Sequence, residues 1–394
     1  MEVRFLHEID KFRAKELWGY SFENEEPFFS WYFDEVFKTE NTIGIFENNQ
    51  LMSCLQMQPY ILNLNGTLLD ATYIVGVVTA PEYRGNGAIK KLIPRAIKEI
   101  NDRGHCLSIL MPFDTTFYNK YGWGLCYSQI KYEIPIEILS KYGERKGIFF
   151  PIDFNDINDL NRIYKLFLRK NNGFVERDLR NWEILLKDLK ADGGYAFVLR
   201  DIDGTSLGYI FYIISQDKIY IRELAWVNEK AKKSLLFFIS NHSAQISRVE
   251  WNAPLSDITY LMLRDTTTPK PTNIVRIVPF MCGRVINVKE ALSRCRYDER
   301  ISFSYTLKIN DKYADWNNKT LSIVIDKGNP KVYETEMDNV DIECDIKTFS
   351  QLYFGALSIN EALEIDNVKL HNENKLSSLG DIFTKKNNYI NEYF

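Results

Sequence analysis

The chain is 394 residues long, 45% hydrophobic, 26% charged and 14% aromatic, with 20 glycines and 12 prolines. At about 100–200 residues per domain this predicts two or three domains, each able to bury a core, and the composition excludes a disordered or collagen-like chain. With 49 basic and 53 acidic residues the formal net charge is -4; residues 286–394, at 14 basic against 18 acidic, carry the whole deficit, and the basic excess of a general nucleic-acid binder is missing.

The start, MEVRFLHEIDKFRAKEL, threads charges of both signs through its apolar residues, unlike a signal peptide. Residues 42–46 and 51–64 read as strands joined by the polar turn Glu47-Asn-Asn-Gln50. Tyr73-Ile-Val-Gly-Val-Val-Thr79 is apolar almost throughout, as a central strand buried on both faces should be, and runs into Ala80-Pro-Glu-Tyr-Arg84-Gly85-Asn86-Gly87. Ile89, Leu92, Ile93, Ala96, Ile97 and Ile100 then fall on one helical stripe, and Cys106–Met111 reads as the next strand. The unit is strand, glycine turn, amphipathic helix, strand. Residues 153–190 are helical in pattern, 195–225 read as three strands, and a helix is expected at 230–240. Residues 286–394 mix helical segments at 288–295, 347–353 and 359–364 with strands at 302–309 and 320–326. The acidic run Glu334, Glu336, Asp338, Asp341, Glu343, Asp345 alternates with other residues and predicts the exposed face of an edge strand.

No apolar run approaches the ~18 residues a membrane span requires, so no membrane partner and a cytoplasmic location are expected. The six cysteines, Cys54, Cys106, Cys126, Cys282, Cys295 and Cys344, are widely spaced and read as reduced, buried thiols; His7, His105, His242 and His371 form no ligand spacing, so a metal-free protein is expected.

A turn of backbone N–H groups opening a helix is an anion site, because unpaired donors and the helix dipole point the same way. Gly85 and Gly87 give such a turn the freedom to approach a phosphate closely. It is neither a Walker A loop nor a complete dinucleotide fingerprint, since GxGxxG would need glycine at Lys90. Downstream, Tyr118 in Phe113-Asp114-Thr-Thr-Phe-Tyr118-Asn-Lys120-Tyr-Gly122-Trp123 is a candidate general acid, a phenol able to protonate a leaving thiolate.

In order and spacing, Arg84-x-x-Gly87 and Tyr118-x-Lys120-x-Gly122-Trp123 resemble the acyl-CoA N-acyltransferase (GNAT) superfamily. The final small residue of that turn is replaced by Ile89, and Pro94 lies inside the following helix. Trp18-Gly-Tyr-Ser-Phe22, Val77-Val-Thr-Ala-Pro81, Arg222-Glu-Leu224, Arg284-Val-Ile-Asn-Val-Lys-Glu-Ala-Leu292 and Leu352-Tyr-Phe-Gly-Ala356 extend the likeness along the whole chain to the Eis (enhanced intracellular survival) acetyltransferases. That resemblance implies an α/β fold of mixed sheets: tandem GNAT-fold domains, 1–140 with the cofactor site and 141–285 without the cofactor turn, followed by a sterol carrier protein-like α+β domain, 286–394.

The resemblance also implies acetyl-CoA as donor, held by Val77, Val78, Thr79, Arg84, Gly85, Asn86, Gly87, Ala88, Ile89 and Lys90 with Phe113 and Asp114 nearby. It implies Tyr118 as general acid and the terminal carboxylate of Phe394 as general base. The acceptor expected is a small cationic amine, aminoglycoside-like or a polyamine, met by Glu23, Asn24, Trp31 and Glu392; Asn24 stands where the family pattern has a carboxylate. Glu25, Glu26, Asp34 and Glu35 would add acidic character. A homo-oligomer, in the family a hexamer, is implied too. Acylation of a protein lysine, a non-enzymatic lipid or acyl-ligand carrier, and a transferase fold reduced to a regulatory module are the alternatives.

Overall fold

The computed structural model describes all residues except Glu23, residues 264–272, Asp338 and Phe394. Three sheets organise the chain. The first runs, in spatial order, Glu2–Phe5, Thr42–Glu47, Gln50–Leu64, Thr67–Thr79, Leu107–Leu110, Cys282–Val285 and Gly124–Leu125, with Phe174–Val175 paired to the end of Gln50–Leu64. The second runs Ile274–Pro279, Ser128–Pro135, Arg248–Ala253, Lys218–Trp226, Ser206–Ser215, Tyr195–Arg200 and Ile148–Pro151. The third is Asn329–Thr335, Thr320–Asp326, Phe303–Asn310, Ile342–Asp345 and Val368–Leu370. This is the mixed α/β architecture expected.

The sheets are not three consecutive blocks of chain. Ser128–Pro135 belongs to the second sheet, whereas Cys282–Val285 returns to the first, pairing with Leu107–Leu110 and Gly124–Leu125. A boundary at 140 therefore falls after the chain has entered the second sheet, and one at 285 falls at the end of a strand of the first.

The helix Ala88–Asp102 forms where its apolar stripe predicts: Ala88, Leu92, Ile93, Ala96, Ile97 and Ile100 are buried against Ile43, Leu55, Met57, Ile74 and Leu110. Each of the buried leucine and isoleucine side chains contributes about 1.5–3 kcal/mol on leaving water, enough to hold the helix through Pro94, which removes one internal hydrogen bond. The third sheet's interior is filled by Tyr305, Leu307, Ile309, Ile323, Phe349, Leu352, Ile359 and Ile382 among others.

The acidic run of 334–345 is not one strand. Glu334 lies in the edge strand Asn329–Thr335, whereas Glu343 and Asp345 lie in the separate strand Ile342–Asp345. Asp341 is buried between Lys375 (2.8 Å) and the Thr306 backbone N–H and hydroxyl (2.7 and 2.9 Å). The ammonium and the Thr306 donors offset the cost of burying this carboxylate. The six cysteines are free and buried, as expected.

Candidate active site

The first sheet opens at one place. Thr67–Thr79 pairs parallel with Leu107–Leu110 only from Ala71↔Leu107 to Ile74↔Leu110, while its other edge stays paired through Ser53↔Thr79. On that second edge the register jumps between Cys54 and Gln56, so Gly76 and Val77 bulge opposite Leu55. Gly76 has φ +61, and a Cβ there would lie 2.6 Å from the Trp18 ring and 2.9 Å from Gln56. The bulge therefore needs glycine for two reasons, and Trp18, stacked on Tyr32 at 4.6 Å, is the wall it bends around. Past Ile74, among the described residues, the edge of Val75–Thr79 that faced Leu107–Leu110 has no strand beside it. Its outward N–H and C=O groups are those available to a ligand.

The turn follows at once. Gly85 (φ +83) and Gly87 (φ +77) are both left-handed, and a Cβ on either would meet nothing within 4 Å. The glycines are thus required by backbone conformation, with open space in front of them. Gly87 opens the helix Ala88–Asp102 with no side-chain cap on its first turn. Arg84 reaches back to the Thr79 carbonyl (3.3 Å) and its guanidinium lies over Tyr20. A cleft of about 260 Å³ lies here, lined by Thr79, Arg84, Gly85, Gly87, Ala88, Ile89 and Lys90 on one side and Phe117, Lys120 and Tyr121 on the other. Two left-handed glycines, an uncapped helix start and flanking Arg84, Lys90 and Lys120 fit a phosphate-bearing ligand.

Tyr118 lies on the short helix Thr115–Asn119, buried edge-on to Phe117 (5.0 Å) and Phe113 (5.7 Å). Burial, with Cys282 nearby, pushes its phenol well above the ordinary value, so at neutral pH it holds its proton and is a donor. Asp114 caps this helix, accepting from the Thr116 N–H (2.8 Å) and hydroxyl (2.7 Å); those bonds hold its carboxyl below the usual value. Phe113 is 76% exposed beside it. Gly122 of the same motif is structural: with φ +91, a Cβ there would sit 1.8 Å from a nitrogen of Arg284.

Across the strand lies a second cavity of about 430 Å³, walled by Trp31, Tyr32, Gln58, Tyr60 and Tyr73 from the first domain, by Asp178, Arg180 and Asp188 from the second, and by Glu392 and Tyr393 from the chain's last residues. An adjoining cavity of about 410 Å³ shares Asp188 and Tyr393 and adds Phe28, Met111, Asp192, Arg222, Glu250 and Asn252. Met111 directly follows the strand that ends where the sheet opens, so this space reaches the opening.

Of the residues anticipated for the acceptor, Trp31 and Glu392 meet in the first of these cavities. Asn24 does not: it lines a separate groove with Arg13, Tyr20 and Glu82. Glu23 and Phe394 lie outside the described residues. Glu26 is spent on Ser30 and Glu35 on Lys187 (3.0 Å), and Asp34 is exposed. The cavity's other carboxylates come from the second domain and were missed. Asp178 is the cap of Leu179–Ala191, and Asp188 sits in the last turn of the same helix, paired with Arg222 (2.8 Å), which also holds Asp192 (2.7 Å). The signal available was the carboxylate spacing opposite the Arg222-Glu-Leu224 motif.

Comparison with known proteins accounts for most of the chain. Residues 2–126 match an acetyltransferase (GNAT) domain, residues 173–277 a second acetyltransferase (GNAT) domain, and residues 288–391 a sterol carrier protein domain. An uncharacterized N-acetyltransferase of Streptomyces avermitilis is 21% identical over 280 residues, an alignment spanning 65% of this chain and 66% of that protein, just short of two thirds of its length. A solved structure from Enterococcus faecalis, a conserved protein of unknown function and probable N-acyltransferase, has a TM-score of 0.88 at 22% identity, covering 100% of this chain and 99% of that one. Eis1 from Mycobacterium abscessus has a TM-score of 0.77 at 18% identity, covering 100% of both chains. At such identities the likeness to solved structures establishes the fold. The domain matches give the chain two GNAT acetyltransferase domains, which imply an acyl-CoA donor and an acceptor substrate, and bear out the expected tandem architecture with its sterol carrier protein-like end.

Proposed function

We propose that this protein is an acetyl-CoA-dependent N-acetyltransferase of the Eis type that acylates a primary amine of a small cationic acceptor, a polyamine or an aminoglycoside-like molecule. The observation that carries this is the sheet opening at Ile74 and Leu110, with the double-glycine turn after the strand, Tyr118 packed in the same core as Ile74 and Leu110, and a cavity of Trp31, Tyr60, Tyr73 and Glu392 beside the same strand.

Acetyl-CoA supplies an acetyl group activated as a thioester. The backbone from Gly85 to Lys90, with Arg84, holds its phosphates at the helix start. Outward-facing backbone N–H groups of the splayed strand around Val77, Val78 and Thr79 would donate to the thioester oxygen as negative charge builds on it. The acceptor enters as an ammonium and must lose a proton before its nitrogen attacks; the terminal carboxylate of Phe394, one residue beyond Tyr393 in the cavity wall, takes that proton, directly or through water. Tyr118 gives its phenolic proton to the departing sulfur. Asp178, Asp188 and Glu392, the last two already paired with Arg222 and Arg177, give the acceptor cavity its acidic lining, and a homo-hexamer is proposed with the Eis resemblance.

The test is thiol release from acetyl-CoA across aminoglycosides, polyamines and lysine peptides, run also on a chain with a few residues added after Phe394. Amine-dependent release by the native chain and none by the extended chain is the expected result; full activity of the extended chain contradicts the terminal base.

A further inference from the structure

The second sheet repeats the opening of the first. Ser206–Ser215 and Lys218–Trp226 form the antiparallel pair, with a register shift that leaves Arg222 bulged opposite the step from Phe211 to Tyr212. Lys218–Trp226 then pairs parallel with Arg248–Ala253 only from Lys218↔Arg248 to Ile221↔Trp251. Beyond that point the strands part, as they do after Ile74 and Leu110.

Here, however, the chain fills the opening with its own end. The Asn391 side chain donates to the Arg222 carbonyl (2.8 Å), Gln129 donates to the Ile390 carbonyl (2.7 Å), and Asn252 donates to the Tyr393 hydroxyl (2.9 Å). Behind these contacts lies one buried cation. Arg177 makes a two-pronged pair with Glu223 (2.8 and 2.7 Å) and bonds Glu392 (2.9 Å), its side chain 0% exposed and its guanidinium between the Tyr164 and Trp182 rings. Glu223 lies on the bulged strand and Glu392 on the chain end, so Arg177 ties the two together.

From this geometry we infer that Arg177 is a positioning residue for the transfer reaction: through Glu392 it seats the chain's last residues in the opening of the second sheet and so fixes the Glu392–Tyr393 wall of the acceptor cavity. The inference rests on the acetyltransferase reading above. It also explains why the second domain needs no cofactor turn, since its opening is closed by a peptide segment. A rigid two-pronged guanidinium suits this place, where an ammonium would reach one carboxylate at a time.

Removing Arg177 alone strands two buried carboxylates and risks unfolding, so the decisive variant is Arg177→Met with Glu223→Gln and Glu392→Gln, compared with Arg177→Lys. Expected are a fall of about tenfold or more in kcat/KM for the amine, acetyl-CoA affinity within about twofold of native, faster hydrogen exchange at residues 389–393, and partial recovery in Arg177→Lys. A folded triple variant that keeps both its amine kcat/KM and its tail protection overturns the inference. Deleting Phe394 separates the two ideas: unchanged turnover there contradicts the terminal base, while the exchange and KM data on the triple variant still decide the role of Arg177.

Discussion

Gly76 and Gly87 both have positive φ, but for different reasons, and substitution should tell them apart. Gly87→Ala meets no neighbour, so its cost is the left-handed backbone alone, about 1 kcal/mol of stability, with weaker acetyl-CoA binding because the turn must shift. Gly76→Ala adds an overlap with Trp18 and should cost about 1–3 kcal/mol more; denaturant unfolding and calorimetric titration measure the two effects. Tyr118→Phe keeps the packing against Phe113 and Phe117 while removing the proton, so kcat should drop by about tenfold or more with acetyl-CoA affinity unchanged. The turn glycines were legible in the sequence because their spacing to the apolar helix stripe is local. The bulge at Gly76 was not, since an apolar run reads as an unbroken strand and the need for glycine comes from Trp18, 58 positions away in the chain. Gly122 shows the same limit: its motif suggested chemistry, and its conformation answers to Arg284.

At the scale of elements, periodicity located the helix Ala88–Asp102 and the three strands of 195–226 closely, because burial on one face leaves its mark in every turn or alternate residue. It failed on the acidic run, where the alternation spans the end of one strand at Thr335 and the start of another at Ile342. Asp341, just before the second strand, can be tested directly. Burial opposes its ionisation, but Lys375 and the Thr306 donors outweigh this and hold its carboxyl below the ordinary value. A carboxylate depressed on folding adds stability above its unfolded pKa and loses it as pH falls through the lower folded value. Asp341→Asn should therefore cost about 1–3 kcal/mol at neutral pH and flatten the acid side of the stability profile, read by urea unfolding across pH 2–7.

The whole molecule is held by contacts that no local pattern encodes. Cys282–Val285 joins the first sheet after the chain has built the second, Asn172 bonds the Phe354 carbonyl (3.0 Å) and Asn388 (2.7 Å), and Arg177 meets Glu392 across 215 positions. The motifs at Arg284 and Leu352–Ala356 belong to this joinery. Arg284 pairs with Asp311 (2.8 Å), both fully buried, and the Phe354 ring packs against Gly283. Removing one partner of a buried pair leaves a charge without compensation, so Asp311→Ala should cost about 3–5 kcal/mol, and calorimetry should show the first and third domains melting earlier together. Of the candidate acceptor cavity, Trp31 and Glu392 were named from the family resemblance, whereas Asp178, Asp188 and Tyr393 stayed hidden because its walls are drawn from both ends and the middle of the chain. The double-glycine turn and the helix it opens are one local unit, so their geometry was readable.

The most direct test of the account is amine-dependent release of thiol from acetyl-CoA by the full-length protein, with the acetylated amine identified in the same reaction. The account predicts that release tracks amine concentration, saturates, and yields one acetylated amine per thiol. Thiol release that ignores the amine, or no acetyl-CoA turnover with any amine of the panel, would contradict it.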